Sequence, residues 1–170
     1  YHDGGATAAQ DLAFSIATGL EYLRAMADGG LSVDEACSQM VFSYSVGTNF
    51  FLAIAKLRAA RKLWAKVATT AGASEKGASM LMHVRTSRRV LTQRDPWVNL
   101  LRNTVCCFAG AVSGAQVITT EPFDAAIGLP SDFSRRIARN TQTILMEESN
   151  LPKVIDPAGG CYFLEKLTDE

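Results

Sequence analysis

Apolar positions along the chain follow two alternating periods. Leu12, Ile16, Leu20 and Leu23 form one stripe at helical spacing, which predicts an amphipathic helix from Thr7 to about Met26, ended by Gly29 and Gly30. Ser32 followed by Glu35 is a capping box, so a short helix runs to about Met40. Residues 40–44 then have the apolar and aromatic density of a strand. The next helix, from about Asn49 to Val67, turns Phe50, Ile54, Leu57, Trp64 and Val67 inward. Residues 81–84 read as a short buried strand. An arginine-crowded loop follows, then a helix that Asp95 opens with Pro96 at its first position. That helix reaches about Val112 and is apolar nearly all round, so cover on several sides is expected. Residues 115–119 are a β-branched strand, and Ser131 caps a helix to about Glu148. A turn at Pro157, Gly159 and Gly160 precedes residues 161–164, which read as one more strand. Three or four strands alternating with helices imply a parallel sheet in an α/β fold, and the later part of a (β/α)8, TIM-type barrel is the expected form.

Composition narrows the partners. Seventeen basic and seventeen acidic residues cancel, so no global field recruits nucleic acid or an anionic membrane surface. No apolar run is long enough to span a bilayer and no signal peptide is visible. Cys37, Cys106, Cys107 and Cys161 lack zinc-ligand spacing beside the histidines, His2 and His83, which favours a reducing, cytoplasmic setting. The chain opens on Tyr1 without a methionine, and an excerpt of a longer protein is expected. Between Val46 and Ser74 there is no acid, while Lys56, Arg58, Arg61, Lys62 and Lys66 crowd one helix. A solvated basic face is the expectation, against an acidic partner or a phosphate contact.

Polar groups gather where strands end, at Arg85, Arg88 and Arg89 and again at Thr120, Glu121 and Pro122. In barrels of this class such ends are where ligands bind. The three arginines suit a phosphate or carboxylate clamp, or they fill a cavity and pair with acids. His83, mid-strand, reads as a hydrogen-bonded core histidine rather than a catalyst. Asp124, Glu147, Glu148 and Asp156 show no acid/base pairing, and the glycine-rich turns have no nucleotide fingerprint, P-loop or nucleophile elbow.

Several stretches together carry a specific resemblance: residues 55–64 (AKLRAARKLW), Phe123-Asp124 through Gly128-Leu129-Pro130, residues 136–142 (RIARNTQ), Glu147-Glu148-Ser149, and Asp156-Pro157-Ala158-Gly159-Gly160. In these the chain resembles the methylmalonyl-CoA mutase family over its whole length. The resemblance implies part of the substrate-domain barrel for residues 1–170. Coenzyme A would thread the barrel axis, and a separate cobalamin-binding domain would lie outside this stretch, which lacks the Asp-x-His-x-x-Gly signature.

Departures from the catalytic chains point to the family's smaller, non-catalytic chain. His2 matches the histidine over the substrate thioester. However, the Pro-Arg-Leu-Ser-Phe of catalytic chains is here Ser38-Gln39-Met40-Val41-Phe42. Their His-x-Gln-Thr-Ser-Gly is His83-Val84-Arg85-Thr86-Ser87-Arg88, which puts Arg85 at the substrate-facing glutamine and bulky Arg88 at a glycine. Gln116 matches a substrate-site glutamine, but Thr119-Thr120-Glu121-Pro122 stands for His-Thr-Asn-Ser, and Ala158 for a tryptophan.

The resemblance implies a small subunit with no catalytic residues of its own. It would support a large catalytic subunit that interconverts methylmalonyl-CoA and succinyl-CoA with adenosylcobalamin. Arg88 and Arg89, with Arg85, would fill the barrel mouth, and His2, His83, Arg85 and Gln116 are the candidate substrate contacts. The alternative is a fragment of a catalytic acyl-CoA mutase using His2 and Gln116 on the substrate.

Overall fold

The computed structural model describes every residue from Tyr1 to Glu170. Helix α1, Ala8–Asp28, starts at Thr7, whose hydroxyl accepts from the Gln10 amide while Gln10 returns the bond to Thr7. It buries Leu12 and Leu23 and ends at Gly29. Ser32 and Glu35 form the expected capping box of α2, Val33–Ser38.

Strand β1 is Phe42–Val46, two residues later than the sequence suggests. The turn that closes α2 is the reason, because the Gln39 and Met40 amides bond back to Ala36 and Cys37. Asn49 caps α3, Phe50–Thr70, and β2 is Met82–Thr86. Helix α4, Val98–Val112, begins later than expected. Asp95 lies in the left-handed region at φ 49°, and the Val98 and Asn99 amides bond to Asp95 and Pro96 in tight turns before the helix opens. Strand β3 is only Val117–Thr119, since Ala115 closes the end of α4 through the Gly110 carbonyl.

Ser131 caps α5, Asp132–Thr143, which continues into a π-helical turn, Ile144–Glu148. The expected strand at residues 161–164 is instead the start of α6, Tyr162–Asp169. A short apolar run is the same in either period; here Leu164 alone faces inward while Tyr162 is 93% exposed.

The three strands pair in parallel, in sequence order β1-β2-β3, with Phe42 level with Met82 and Arg85 level with Thr119. Side chains alternate between faces. Phe42, Tyr44, Val46, Met82 and Val84 point into the core with Leu57, Trp64, Cys106 and Ala109. The Phe42 ring meets Trp64 at 4.7 Å between centroids. Gly110 lets α4 approach β2, since a Cβ there would stand 3.0 Å from Val84. The other face carries Ser43, Ser45, His83, Arg85, Val117 and Thr119, and no helix covers it.

One expectation about the helices is corrected and another is met. The basic face of α3 is not simply solvated. Lys56 is buried on Asp11, Arg58 grips Asp156 and Glu165, Lys62 meets Asp169, and Arg61 donates to the Ser113 and Gly114 carbonyls. Helix α4 is covered on several sides as expected, by α3, α5 and the three strands, while Leu101 stays 69% exposed. Its buried side carries two asparagines, Asn99 and Asn103, in place of the apolar residues the pattern suggests. No helix is long and apolar enough to cross a membrane.

Candidate functional site

The carboxyl end of the sheet gathers most of the polar side chains singled out in the sequence. Thr86 and Ser87 end β2 fully buried, and the Glu121 amide donates to the Thr86 hydroxyl at 2.8 Å. That bond ties the loop after β3 to the end of β2. Asn103 on α4 holds the same loop by donating to the Glu121 carbonyl at 2.7 Å. Asn99 donates to the carbonyls of Thr92 and Phe123, so one buried amide spans both loops. The asparagines of α4 are thus internal fasteners, placed where apolar contact cannot satisfy loop backbone.

Glu121 has a side chain only 5% exposed, and Arg85 donates to its Oε1 at 2.6 Å. The Nε of Arg88 lies 3.1 Å from the same oxygen. A buried carboxylate is thus held by two guanidiniums at this end of the sheet, with an excess of positive charge. Arg89 works differently, through the carbonyls of His2 and Ala6 at 2.9 and 3.5 Å. It therefore fastens the amino-terminal segment across the sheet's end.

His2 lies under that segment with Nε2 at 2.7 Å from the Ser87 hydroxyl, which also accepts from the Arg89 amide. Burial, then the nearby Lys56 and Arg89 cations, push the His2 pKa below its ordinary value. A neutral imidazole and a serine at this distance resemble a nucleophile with its base. However, Ser87 is 0% exposed, so the pair anchors the turn and offers no attacking oxygen. Below it lies Cys106, whose thiol burial pushes up to about 11, which makes it inert as a nucleophile.

His83 sits mid-strand on the uncovered face. Its Nδ1 is 3.1 Å from the Ser43 hydroxyl and its Nε2 is 2.8 Å from the Thr119 hydroxyl, so one ring links all three strands. Gln116 is at the opposite end. Its Oε1 accepts from the Met82 amide at 2.9 Å, at the start of β2. The five residue steps from Met82 to Ser87 separate it from His2 by about 16 Å of strand. His2, Arg85, Arg88 and Arg89 are therefore brought together; His83 lies one level below Arg85, and Gln116 stands apart.

Sequence reasoning missed Glu121, Ser87, Asn99 and Asn103 as members of this cluster. The visible signal was polarity at the ends of β2 and β3, which parallel pairing sets side by side. Chemically, the cluster can bind or neutralise an anion and lock loops. No three His, Cys, Asp or Glu side chains converge as a metal site.

Comparison with known proteins agrees with this arrangement of motifs. The family model for methylmalonyl-CoA mutase matches residues 1–170. The chain is 55% identical over 170 residues to the methylmalonyl-CoA mutase small subunit of Streptomyces virginiae, covering 100% of this chain and 27% of that protein. It is 46% identical over 174 residues to the probable small subunit of Mycobacterium bovis, covering 99% of this chain and 28% of that one. To the methylmalonyl-CoA mutase of Escherichia coli it is 42% identical over 173 residues, covering 100% of this chain and 24% of the relative. It thus spans about a quarter of the length of these relatives. With every residue inside the family match and the loop motifs seated at the carboxyl ends of parallel strands, the chain belongs to the methylmalonyl-CoA mutase family.

Proposed function

We propose that this chain is part of a small, non-catalytic subunit of methylmalonyl-CoA mutase, whose barrel mouth is closed by its own side chains. The observation that carries the reading is the Arg85–Glu121–Arg88 group. Its carboxylate is buried and both cations converge on one oxygen, in the position where a substrate would otherwise enter. Higher identity to the two small subunits than to the Escherichia coli enzyme supports the same choice.

In this reading residues 1–170 are the later part of a (β/α)8 barrel. Sequential parallel order and helices on one face support it, and further strands would lie beyond the open edges of β1 and β3. The subunit serves a larger catalytic partner that interconverts methylmalonyl-CoA and succinyl-CoA. The four free cysteines fit a cytoplasmic setting. Adenosylcobalamin supplies the radical chemistry of the family, yet residues 1–170 do not fit as its holder. His2 is engaged with Ser87, and both nitrogens of His83 are bonded. The cofactor would belong to the complex through other residues, and nothing here acts on it.

A second reading has one observation in its favour. Ser43, Ser45 and Thr119 place small hydroxyls on the uncovered face, where barrels ordinarily pack branched aliphatics. A polar chain would fit there, as it would in a catalytic acyl-CoA mutase. Titration calorimetry separates the two, with a coenzyme A thioester added to the full-length chain alone and with the large subunit. Heat only in the presence of the large subunit is expected. Binding to the chain alone, lost in His2→Ala or Gln116→Ala, would overturn the closed-mouth reading.

A further inference from the structure

Away from the mouth, α4 carries an apolar stripe that nothing in residues 1–170 covers. Trp97, Leu101 and Val105 follow at four-residue spacing and are 58%, 69% and 38% exposed. The stripe extends onto α5 through Phe133, whose ring lies 6.4 Å from that of Trp97. Both rings rest on Phe123, so their orientation is fixed before any partner arrives. A pre-ordered tryptophan in an exposed apolar patch is the composition of a protein interface.

The charges around the patch indicate the kind of partner. Elsewhere the arginines are satisfied within the chain: Arg24 by Glu21, Arg58 by Asp156, Arg85 and Arg88 by Glu121, and Arg61 and Arg89 by backbone carbonyls. Arg102 donates to the Asn99 amide oxygen and the Thr92 hydroxyl, whereas Arg94, Arg136 and Arg139 have no carboxylate within ion-pair distance and belong to α5 or the loop entering α4. Arg136 lies 5.5 Å over the Phe133 ring, at the rim of the apolar stripe. Of the acids beside them, Asp132 faces Arg135 at 3.6 Å with both side chains exposed, and Asp95 follows Arg94. An apolar centre with an unneutralised arginine rim complements apolar anchors flanked by carboxylates.

We propose that this face of α4 and α5 docks an acidic amphipathic helix of the larger partner subunit. Bulky apolar side chains one turn apart would lie against Trp97 and Leu101, and carboxylates would reach Arg136 and Arg139. The inference rests on the heterodimer reading and names where that association occurs.

The test measures the affinity of the full-length chain for the large subunit by sedimentation, for the wild type, Leu101→Asp, and the double variant Arg136→Glu/Arg139→Glu. Circular dichroism confirms folding, since each altered side chain faces solvent. Each variant is expected to raise Kd by about tenfold or more, the loss typical of a central interface anchor. Acrylamide quenching supplies the second readout. Trp97 fluorescence is quenched in the free chain and protected in the complex, with Trp97→Phe removing the signal. Wild-type association that neither variant weakens overturns the inference and leaves the heterodimer intact. Failure of the wild type to associate overturns both. Trp97 already shielded in the free full-length chain means that another part of the same chain covers the stripe, which also overturns it.

Discussion

Lys56 and Asp11 bridge α3 and α1 with side chains only 5% and 4% exposed. The ammonium also donates to the Ser45 carbonyl at 3.1 Å and lies 5.4 Å over the Tyr44 ring. Asp11→Asn keeps the shape but leaves a buried cation with a carbonyl and a ring face as its only compensation. Removing one partner of a buried pair costs about 3–5 kcal/mol, because the remaining charge stays desolvated. Lys56→Met should cost at least as much, since the Asp11 carboxylate makes no other side-chain bond. Replacing both, as Asp11→Leu with Lys56→Met, removes both desolvation penalties and should come within about 1–2 kcal/mol of the wild type. At about 2–4 °C per kcal/mol for a cooperative unit of about 150–250 residues, and less for a larger one, each single variant lowers Tm by several degrees. Thermal unfolding of the full-length chain, followed by circular dichroism over the four-member cycle, gives the coupling directly. Single variants that melt within about 2 °C of the wild type, or a double variant whose loss is the sum of the two, would refute the claim that the pair is a buried unit.

Two further outcomes follow from the packing and from His2. Gly19 on α1 faces the Phe42 and Trp64 rings, where a Cβ would stand 2.8 and 3.1 Å away; Gly19→Val should therefore destabilise by about 1–3 kcal/mol in urea unfolding despite removing a helical glycine, and a neutral or stabilising result would show that the aromatic pair yields easily. Because the folded pKa of His2 is depressed by burial and by Lys56 and Arg89, the unfolded chain takes up its proton first as pH falls. The His2 contribution should be complete above about pH 6.5, decline as pH falls towards the lower folded pKa, and level off beneath it. Urea midpoints between pH 5 and pH 8 should show that decline in the wild type and a shallower one in His2→Asn.

What could be read from the sequence was what neighbours in sequence decide. The Ser32–Glu35 box, the Asn49 and Ser131 starts and the Gly29 stop all depend on groups within one helical turn, and each appears in the structure. Strand limits were less legible, because β1 loses its first two expected residues to the turn that closes α2. Residues 161–164 went to a helix that packs Leu164 inward and sets Glu165 against Arg58, a contact across 107 positions that no local pattern encodes. The mouth shows the same division. Three arginines in five residues announced a need for acid, but Glu121 became their partner only through the register that sets Arg85 level with Thr119, two residues earlier. Gln116 illustrates the converse, since its match to a family motif carried no information about which end of the sheet its amide would serve.

The charge pattern joins these points. The stretch from Val46 to Ser74 contains no acid, so α3 alone looks like a basic surface waiting for an anion. Its cations instead reach acids 45, 98 and 107 positions away, at Asp11, Asp156 and Asp169. A helix read by itself therefore overstates its own field, and the informative residues are those left over once long-range pairs are removed. Applied to the whole chain, that subtraction leaves α3 with Lys66 and with Arg61 on backbone carbonyls, leaves the carboxyl end of the sheet with a modest positive excess, and leaves Arg94, Arg136 and Arg139 without carboxylates in the loop entering α4 and on α5. Unbalanced charge beside an exposed, pre-ordered apolar stripe has no stabilising role within residues 1–170. In the docking proposed above its complement comes from the larger subunit, and that is why the outer face of α4 and α5, rather than the basic face of α3, is where association with a partner should be sought.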